Sequence, residues 1–285
     1  MCIKKQGSLR LFGDHMVSIN LYIKDFRTQI EALRYSTIRR IDNLYLPTVQ
    51  KSGSQWVSAI FNDPRIKGYT GLARMTQRNY EYGEHVKKFP KGVFIPGLYV
   101  SYQTYKYFIK KPQNHKTIYI YRDPRDIIVS DYYSTLKTHG LNPVVADLRT
   151  KLSSMPKTDG LLYLIAFNDK FSVMRSWVDL GKEDPNILFL KFEEIIASPV
   201  KYFLMMLRHC GISINEATLQ NILLDYTKDR MREADLSSRS DKSESHYRFT
   251  QSSHFNEFEP IHYKSFYEVT GNLLDLLGYP ISPPL

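Results

Sequence analysis

The chain has two cysteines in 285 residues, Cys2 and Cys210. That is too few for a disulfide framework, and they stand in no metal-ligand spacing. A reducing, cytoplasmic setting is expected. No apolar run approaches the ~20 residues that a membrane-spanning helix needs. Met1-Cys2-Ile3-Lys4-Lys5-Gln6 leads into Gly, Ser, Arg and Asp rather than an apolar signal core. The nucleotide-binding pattern Gly-x-x-x-x-Gly-Lys-Ser/Thr is missing. There is no internal repeat and no long basic arm, the basic residues being spread through the chain. The 21 tyrosines fall into no nucleic-acid-binding signature.

What is present is an ordinary globular composition, 42% hydrophobic and 24% charged, long enough for one large α/β domain over residues 1–285. The net charge of +10 favours anionic partners. Without a nucleic-acid signature, a multiply charged small molecule is preferred to DNA or RNA.

The apolar run Leu44-Tyr45-Leu46-Pro47-Thr48-Val49 predicts a first core strand over 43–49, and Gln50-Lys51-Ser52-Gly53-Ser54-Gln55-Trp56 predicts a tight turn opening a helix that ends by 62. Gly53 allows close backbone approach, and a helix start offers unpaired N–H groups to an anion. Lys51 adds a point charge; Ser52 and Ser54 add hydroxyls. By itself such a tripeptide is an ordinary surface turn. A second strand, Lys116 to Tyr121, runs into Arg122-Asp123-Pro124-Arg125-Asp126 and a helix carrying Ser130. Asp123 suits the N-cap and Pro124 the first turn. Arg122 and Ser130 could hold another phosphate; alternatively, Arg122 and Arg125 pair with Asp123 and Asp126 on the surface.

Elsewhere, a partly amphipathic helix is expected over 30–40. Loops with a short helix are expected over 63–92, holding Glu81, Glu84 and His85. A strand over 93–95 should end at Pro96-Gly97, followed by a helix over 101–110. Residues 135–160 suggest a flexible insert or lid, and 160–180 one long helix. A third strand over 185–192 leads to Glu193-Glu194 at a helix start; further helices follow at 199–210 and 215–225. Residues 235–247 are Ser-rich and charged, hence mobile unless a ligand orders them. A last helix over 260–277 ends at Gly278.

Lys51-Ser52-Gly53-Ser54-Gln55-Trp56 together with Arg122-Asp123-Pro124-Arg125-Asp126-Ile127-Ile128-Val129-Ser130 resembles the two cofactor motifs of the cytosolic-type sulfotransferases. Those enzymes use 3′-phosphoadenosine 5′-phosphosulfate (PAPS). Phe189-Leu190-Lys191-Phe192-Glu193-Glu194, His246-Tyr247-Arg248 and Gly271 to Tyr279 also resemble family segments, in family order. The resemblance covers about residues 43 to 280. It implies a three-layer α/β sandwich with a central parallel sheet flanked by helices, the P-loop-like sulfotransferase fold. PAPS would be the cofactor and 3′-phosphoadenosine 5′-phosphate (PAP) its product, with no metal required. The implied partners are a small-molecule acceptor, no nucleic acid, no membrane span, and a second copy in a homodimer.

Residue by residue, the resemblance implies that Lys51 neutralises the 5′-phosphosulfate and the charge that grows on its bridging oxygen. Ser52, Gly53, Ser54 and Gln55 would wrap the 5′-phosphate, and Trp56 would stack on adenine. Arg122 and Ser130 would bind the 3′-phosphate with Arg248, in a C-terminal cofactor segment over 235–258. Phe192 stands where a Tyr commonly contacts the nucleotide, and Gln55 replaces a family hydroxyl. The family's Lys-Thr-His is missing: its place reads Pro96-Gly97-Leu98-Tyr99. The candidates for the base are His139, in the loop after the second motif, His85 beside Glu84, and Tyr99, a poor base at neutral pH.

The expected function is sulfuryl transfer from PAPS to a hydroxyl, or an amine or guanidine nitrogen, of a small molecule, the unusual base region favouring a secondary metabolite. The other readings are a catalytically inactive PAPS- or PAP-binding sensor or scaffold, a P-loop kinase and a nucleic-acid binder. The missing Gly-Lys-Ser/Thr ending and the lack of a clear Mg²⁺ carboxylate argue against the kinase.

Overall fold

Strand β1 (Asn43–Pro47) is buried along its whole length in the middle of a five-stranded sheet. The computed structural model describes residues 26–75, 87–138, 143–238 and 253–281. A helix over 26–34 (α1) precedes β1; α2 (Ser54–Phe61), α3 (Pro64–Thr70), β2 (Ala73–Arg74) and β3 (Lys87–Lys88) follow it. Next come β4 (Val93–Leu98), α4 (Tyr102–Phe108), β5 (Ile109–Lys110), β6 (His115–Tyr121) and α5 (Pro124–Lys137). Three helices, α6 (Pro143–Ser153), α7 (Lys157–Ala166) and α8 (Lys170–Leu180), lead to β7 (Ile187–Lys191). Beyond it lie α9 (Phe192–Ala197), α10 (Pro199–His209), α11 (Glu216–Leu223), a 3₁₀ turn (Leu224–Tyr226) and α12 (Lys228–Ser238). Helices α13 (His254–Glu257), α14 (Pro260–Thr270) and α15 (Leu273–Leu277) close the described chain.

The sheet order is β2-β4-β1-β6-β7, and every pairing is parallel. A parallel sheet is covered on both faces, so its strands are apolar without interruption. Alternation along each strand then assigns the faces. Leu44, Leu46, Phe94, Ile118 and Ile120 pack with Val57 and Ile60 of α2, Phe203 of α10 and Leu219 of α11. Tyr45, Ile95 and Tyr119 face the other way, against Tyr105 of α4 and Trp177 of α8. Trp177 stacks on Tyr119 at 4.7 Å and donates its indole N–H to the Val100 carbonyl at 2.8 Å. These are the three layers expected. A further core joins α5, α7, α8, α14 and α15 through Ile128, Ile165, Phe171, Phe266 and Leu273.

The topology places the site. From β1 the chain moves to β2 and β4 on one side, and later to β6 and β7 on the other. The connections after β1 and β6 therefore diverge, leaving a crevice at the carboxyl ends of these neighbouring strands.

Several boundaries differ from expectation. β1 stops at Pro47, and Phe192 already belongs to α9. Strand β4 continues through Pro96-Gly97 to Leu98. β2 pairs only with Val93 and Phe94, so the missing N–H of Pro96 interrupts no ladder on that side, and the register shift between Leu46 and Pro47 takes up Gly97. The described part of the 135–160 insert is helical rather than irregular: Leu152 is buried, and Arg149 Nε donates to the Thr135 carbonyl at 2.7 Å. The long helix over 160–180 is two, broken at Phe167-Asn168-Asp169, where Asn168 Oδ1 accepts from the Lys170 N–H at 2.9 Å. The last helix is likewise interrupted at Gly271. The segment expected to be helical over 30–40 is helical over 26–34, and that over 101–110 ends at Phe108. Residues 235–238 belong to α12; the rest of the Ser-rich segment lies outside the described residues. Cys210 is buried, which pushes its thiol up to about 12, so it is unreactive.

Candidate active site

The exit of β1 is tied to both neighbours. Thr48 Oγ1 donates to the Ile120 carbonyl at 2.7 Å, and the Thr48 N–H to the Leu98 carbonyl at 3.2 Å. The chain then turns with Lys51 and Gly53 both in the left-handed region, at φ 73° and 78°. Gly53 sits at the N-cap of α2, and no side chain among the described residues caps the helix. The start of α2 is thus open to an outside anion. Ser52 Oγ is fully buried and has no hydrogen-bond partner among the described residues, an arrangement that costs ~1–3 kcal/mol unless a ligand satisfies it. A Cβ on Gly53 would fall 1.9 Å from Phe192 Cε2.

The other cradle residues divide by role. Ser54 is buried, with its hydroxyl 3.5 Å from the Tyr99 hydroxyl at the end of β4, whereas Gln55 is exposed. Trp56 is half-buried; it donates Nε1–H to the Tyr226 carbonyl at 2.7 Å and meets Phe203 edge-on at 5.6 Å. Two other elements, α10 and the 3₁₀ turn, thereby fix the indole.

At the end of β6, Asp123 caps α5 by accepting from the Arg125 N–H at 2.9 Å, with Pro124 in the first turn. The two arginines do not pair side by side on the surface. Arg125 turns inward, is fully buried, and closes on Asp123 through Nε at 3.0 Å and Nη2 at 2.7 Å. Burial tends to lower the Arg125 pKa, but Asp123 outweighs it and raises it. Arg122 instead points to the first motif. Its Nη1 donates to the Lys51 carbonyl at 3.1 Å, its guanidinium lies 5.5 Å from the Phe192 ring centre, and Asp126 Oδ2 approaches only to 3.8 Å. Ser130 is half-buried two turns along α5.

The structure therefore brings Lys51, Ser52, Gly53, Phe192 and Arg122 together. Phe192 is the spacer, filling the room that Gly53 leaves and lying beneath Arg122. Glu193 fastens the arrangement, accepting from the Asp123 N–H at 3.0 Å and from the Tyr279 hydroxyl at 2.7 Å. From sequence, Glu193 opens a helix and belongs to a family-like segment, without this fastening role, and Tyr226 and His254 have no assigned role. The contacts of all three are long-range and leave no local pattern. His85, His139 and Arg248 lie outside the described residues. Among the described residues, no cluster of His, Cys, Asp and Glu could hold a metal ion, and no helix is long and apolar enough to cross a membrane.

The sulfotransferase-domain family profile matches residues 42–277, a span that contains both cradles. The chain belongs to the sulfotransferase family. A curated relative, the 3-beta-hydroxysteroid sulfotransferase of Cavia porcellus, is 28% identical over 158 residues, 52% of each chain; the match spans about half that relative's length. Among solved structures, mouse sulfotransferase SULT7A1 complexed with PAP has a TM-score of 0.58 at 21% identity, over 82% of this chain and 84% of that one. Retinol dehydratase with androsterone and inactive cofactor PAP has a TM-score of 0.52 at 12% identity, over 85% and 82%. At these identities the likeness shows the sulfotransferase fold. The unpartnered Ser52 hydroxyl, the uncapped α2 and the side-chain-free Gly53 fit the family's need for a phosphate cradle.

Proposed function

We propose that this chain is a PAPS-dependent sulfotransferase that moves a sulfuryl group to a hydroxyl, or to an amine or guanidine nitrogen, of a small molecule, a secondary metabolite being the class that the unusual base region favours. The observation supporting this reading is the bond between Arg122 and the Lys51 carbonyl, which joins the two strand–turn–helix motifs at the sheet's crevice. A ligand with separated 5′ and 3′ anionic groups needs such a pair, and the basic chain draws it in.

The bound nucleotide supplies the activated sulfuryl group. Ser52, Gly53, Ser54 and Gln55 hold the 5′-phosphate, the Ser52 hydroxyl gaining the partner it lacks. Arg122, Ser130 and Arg248 hold the 3′-phosphate, and Trp56 and Phe192 present apolar surface to the base. Lys51 neutralises the bridging oxygen as its bond to sulfur breaks, so positioning and charge stabilisation provide most of the catalysis. The acceptor's proton passes to His139 or His85. PAP is the product, and no metal takes part.

The second reading is an inactive PAPS- or PAP-binding relative, favoured by Leu98 and Tyr99, at and just after the end of β4, standing where the family carries its His. A thermal shift with PAP, set against 5′-AMP and against ATP with Mg²⁺, tests the cradles. Ligand at about a hundred times its dissociation constant adds roughly 2.7 kcal/mol. Stabilisation by PAP alone supports both readings, and transfer of labelled sulfate from PAPS to any acceptor then separates them. A larger shift with ATP and Mg²⁺, or no shift, overturns both.

A further inference from the structure

His254 begins the short helix α13, yet it is only 2% exposed and its bonds run to α5. Its Nδ1 and its backbone N each lie 2.8 Å from Asp126 Oδ1. An ionised carboxylate only accepts, so Nδ1 carries a proton. Phe255 at 4.0 Å and the edge-on Phe258 and Tyr263 hold the ring. Nε2 is buried and has no hydrogen-bond partner among the described residues, so among them the imidazole serves Asp126 alone. Burial tends to raise the Asp126 pKa, but the two His254 bonds and the Arg122 charge outweigh it and hold the carboxyl below its usual value. Asp126 is therefore a fixed negative charge beside a phosphate-binding guanidinium.

The neighbouring pair has the opposite arrangement. Asp123, while its Oδ1 caps α5, also turns both oxygens to the Nε and Nη2 of Arg125. Asp126 reaches Arg122 only at 3.8 Å, because two donors from α13 hold its other oxygen. We infer that His254 is a positioning residue for anion recognition: by holding Asp126 back, it keeps the Arg122 guanidinium open to a phosphate monoester. This rests on the reading that Arg122 takes the nucleotide's 3′-phosphate.

The test is calorimetric binding of PAP and 5′-AMP, which differ only in that phosphate. His254→Phe leaves Asp126 Oδ1 with the backbone N–H as its single donor from α13, which lets the carboxylate swing towards Arg122; PAP affinity should fall about tenfold, the low end for a charged hydrogen bond, with 5′-AMP unchanged. His254→Asn, whose amide N–H falls near the position of Nδ1, should restore most of the loss. Adding Asp126→Asn to His254→Phe should also restore it, because the competing charge is gone. A simple packing role predicts neither rescue. If H254F does not fold, His254→Gln, whose amide reaches past Asp126, carries the same expectation. Equal losses for both nucleotides, or a PAP preference that survives H254F, overturn the inference alone. A wild-type protein that does not prefer PAP overturns the 3′-phosphate reading, and this inference with it.

Discussion

Arg122 Nη1 donates to the Lys51 carbonyl across 3.1 Å, joining two motifs that lie 71 residues apart in the chain. The guanidinium holds the first loop in place, and in the proposed function its remaining donors take the 3′-phosphate. Arg122→Ala should therefore weaken PAP by roughly tenfold to a hundredfold, the range for a charged hydrogen bond. 5′-AMP should lose only a few-fold, through the loosened loop. Arg122→Lys should not restore PAP, because one ammonium cannot span both the carbonyl and a phosphate as a planar fork does. Isothermal titration of both nucleotides measures this; full recovery in the lysine variant would contradict it.

Gly53 and Phe192 make a second pair whose members depend on each other. Gly53→Ala combines a backbone penalty of about 1–2 kcal/mol for the left-handed region with a clash at 1.9 Å. In a Phe192→Ala background the clash disappears and only the backbone part remains. Urea denaturation of the two single variants and the double variant should show Gly53→Ala costing less once Phe192 is gone. Strictly additive costs would mean that the ring moves aside freely.

Both strand–turn–helix motifs were legible because each is local: a strand, a tight turn, and an N-cap of Gly or Asp followed by a helix. The buried sheet was legible for the same reason, since Leu44-Tyr45-Leu46 and Ile118-Tyr119-Ile120 are continuous apolar runs. Pro96-Gly97 misled because its meaning depends on how far β2 extends alongside β4, which no local pattern encodes. Arg125 looked like a surface charge because its burial depends on α5 being packed over by α7 and α14. Phe192 carried a family label but not its mechanical role, which emerges only where β7 and the first loop meet.

Asp63 makes the stability of the site dependent on pH. It accepts from Arg65 Nε, Nη2 and backbone N–H and from the Tyr226 hydroxyl, and Arg65 is the main cause that holds its carboxyl down to about 2. A carboxyl depressed in the folded state stabilises the protein above its unfolded value. That stability is lost as pH falls from about 4 towards 2. Arg65 is half-exposed, so the contribution is roughly 1–2 kcal/mol after screening. Asp63→Asn should flatten the pH dependence of the urea midpoint below pH 4. It should also release Tyr226, whose carbonyl holds Trp56. A slope unchanged in the variant would place the acid sensitivity elsewhere.

Lys51 is the residue on which the catalytic reading turns, and its backbone complicates the obvious variant. At φ 73° any side chain except Gly, Asn or Asp is uncommon, so Lys51→Ala removes the charge without easing the turn. Lys51→Asn removes the same charge with a residue suited to that conformation. If the ammonium acts mainly on charge that develops as sulfur departs, both variants should lose about 10²–10³ in kcat, as when one stabilising donor is removed. PAP affinity should change only a few-fold. Single-turnover transfer of labelled sulfate, paired with PAP titration, separates the two quantities. Equal losses in rate and affinity in both variants would make Lys51 a ground-state ligand only. A defect in Lys51→Ala that Lys51→Asn repairs would show that the loop's geometry, and not the charge, governs turnover.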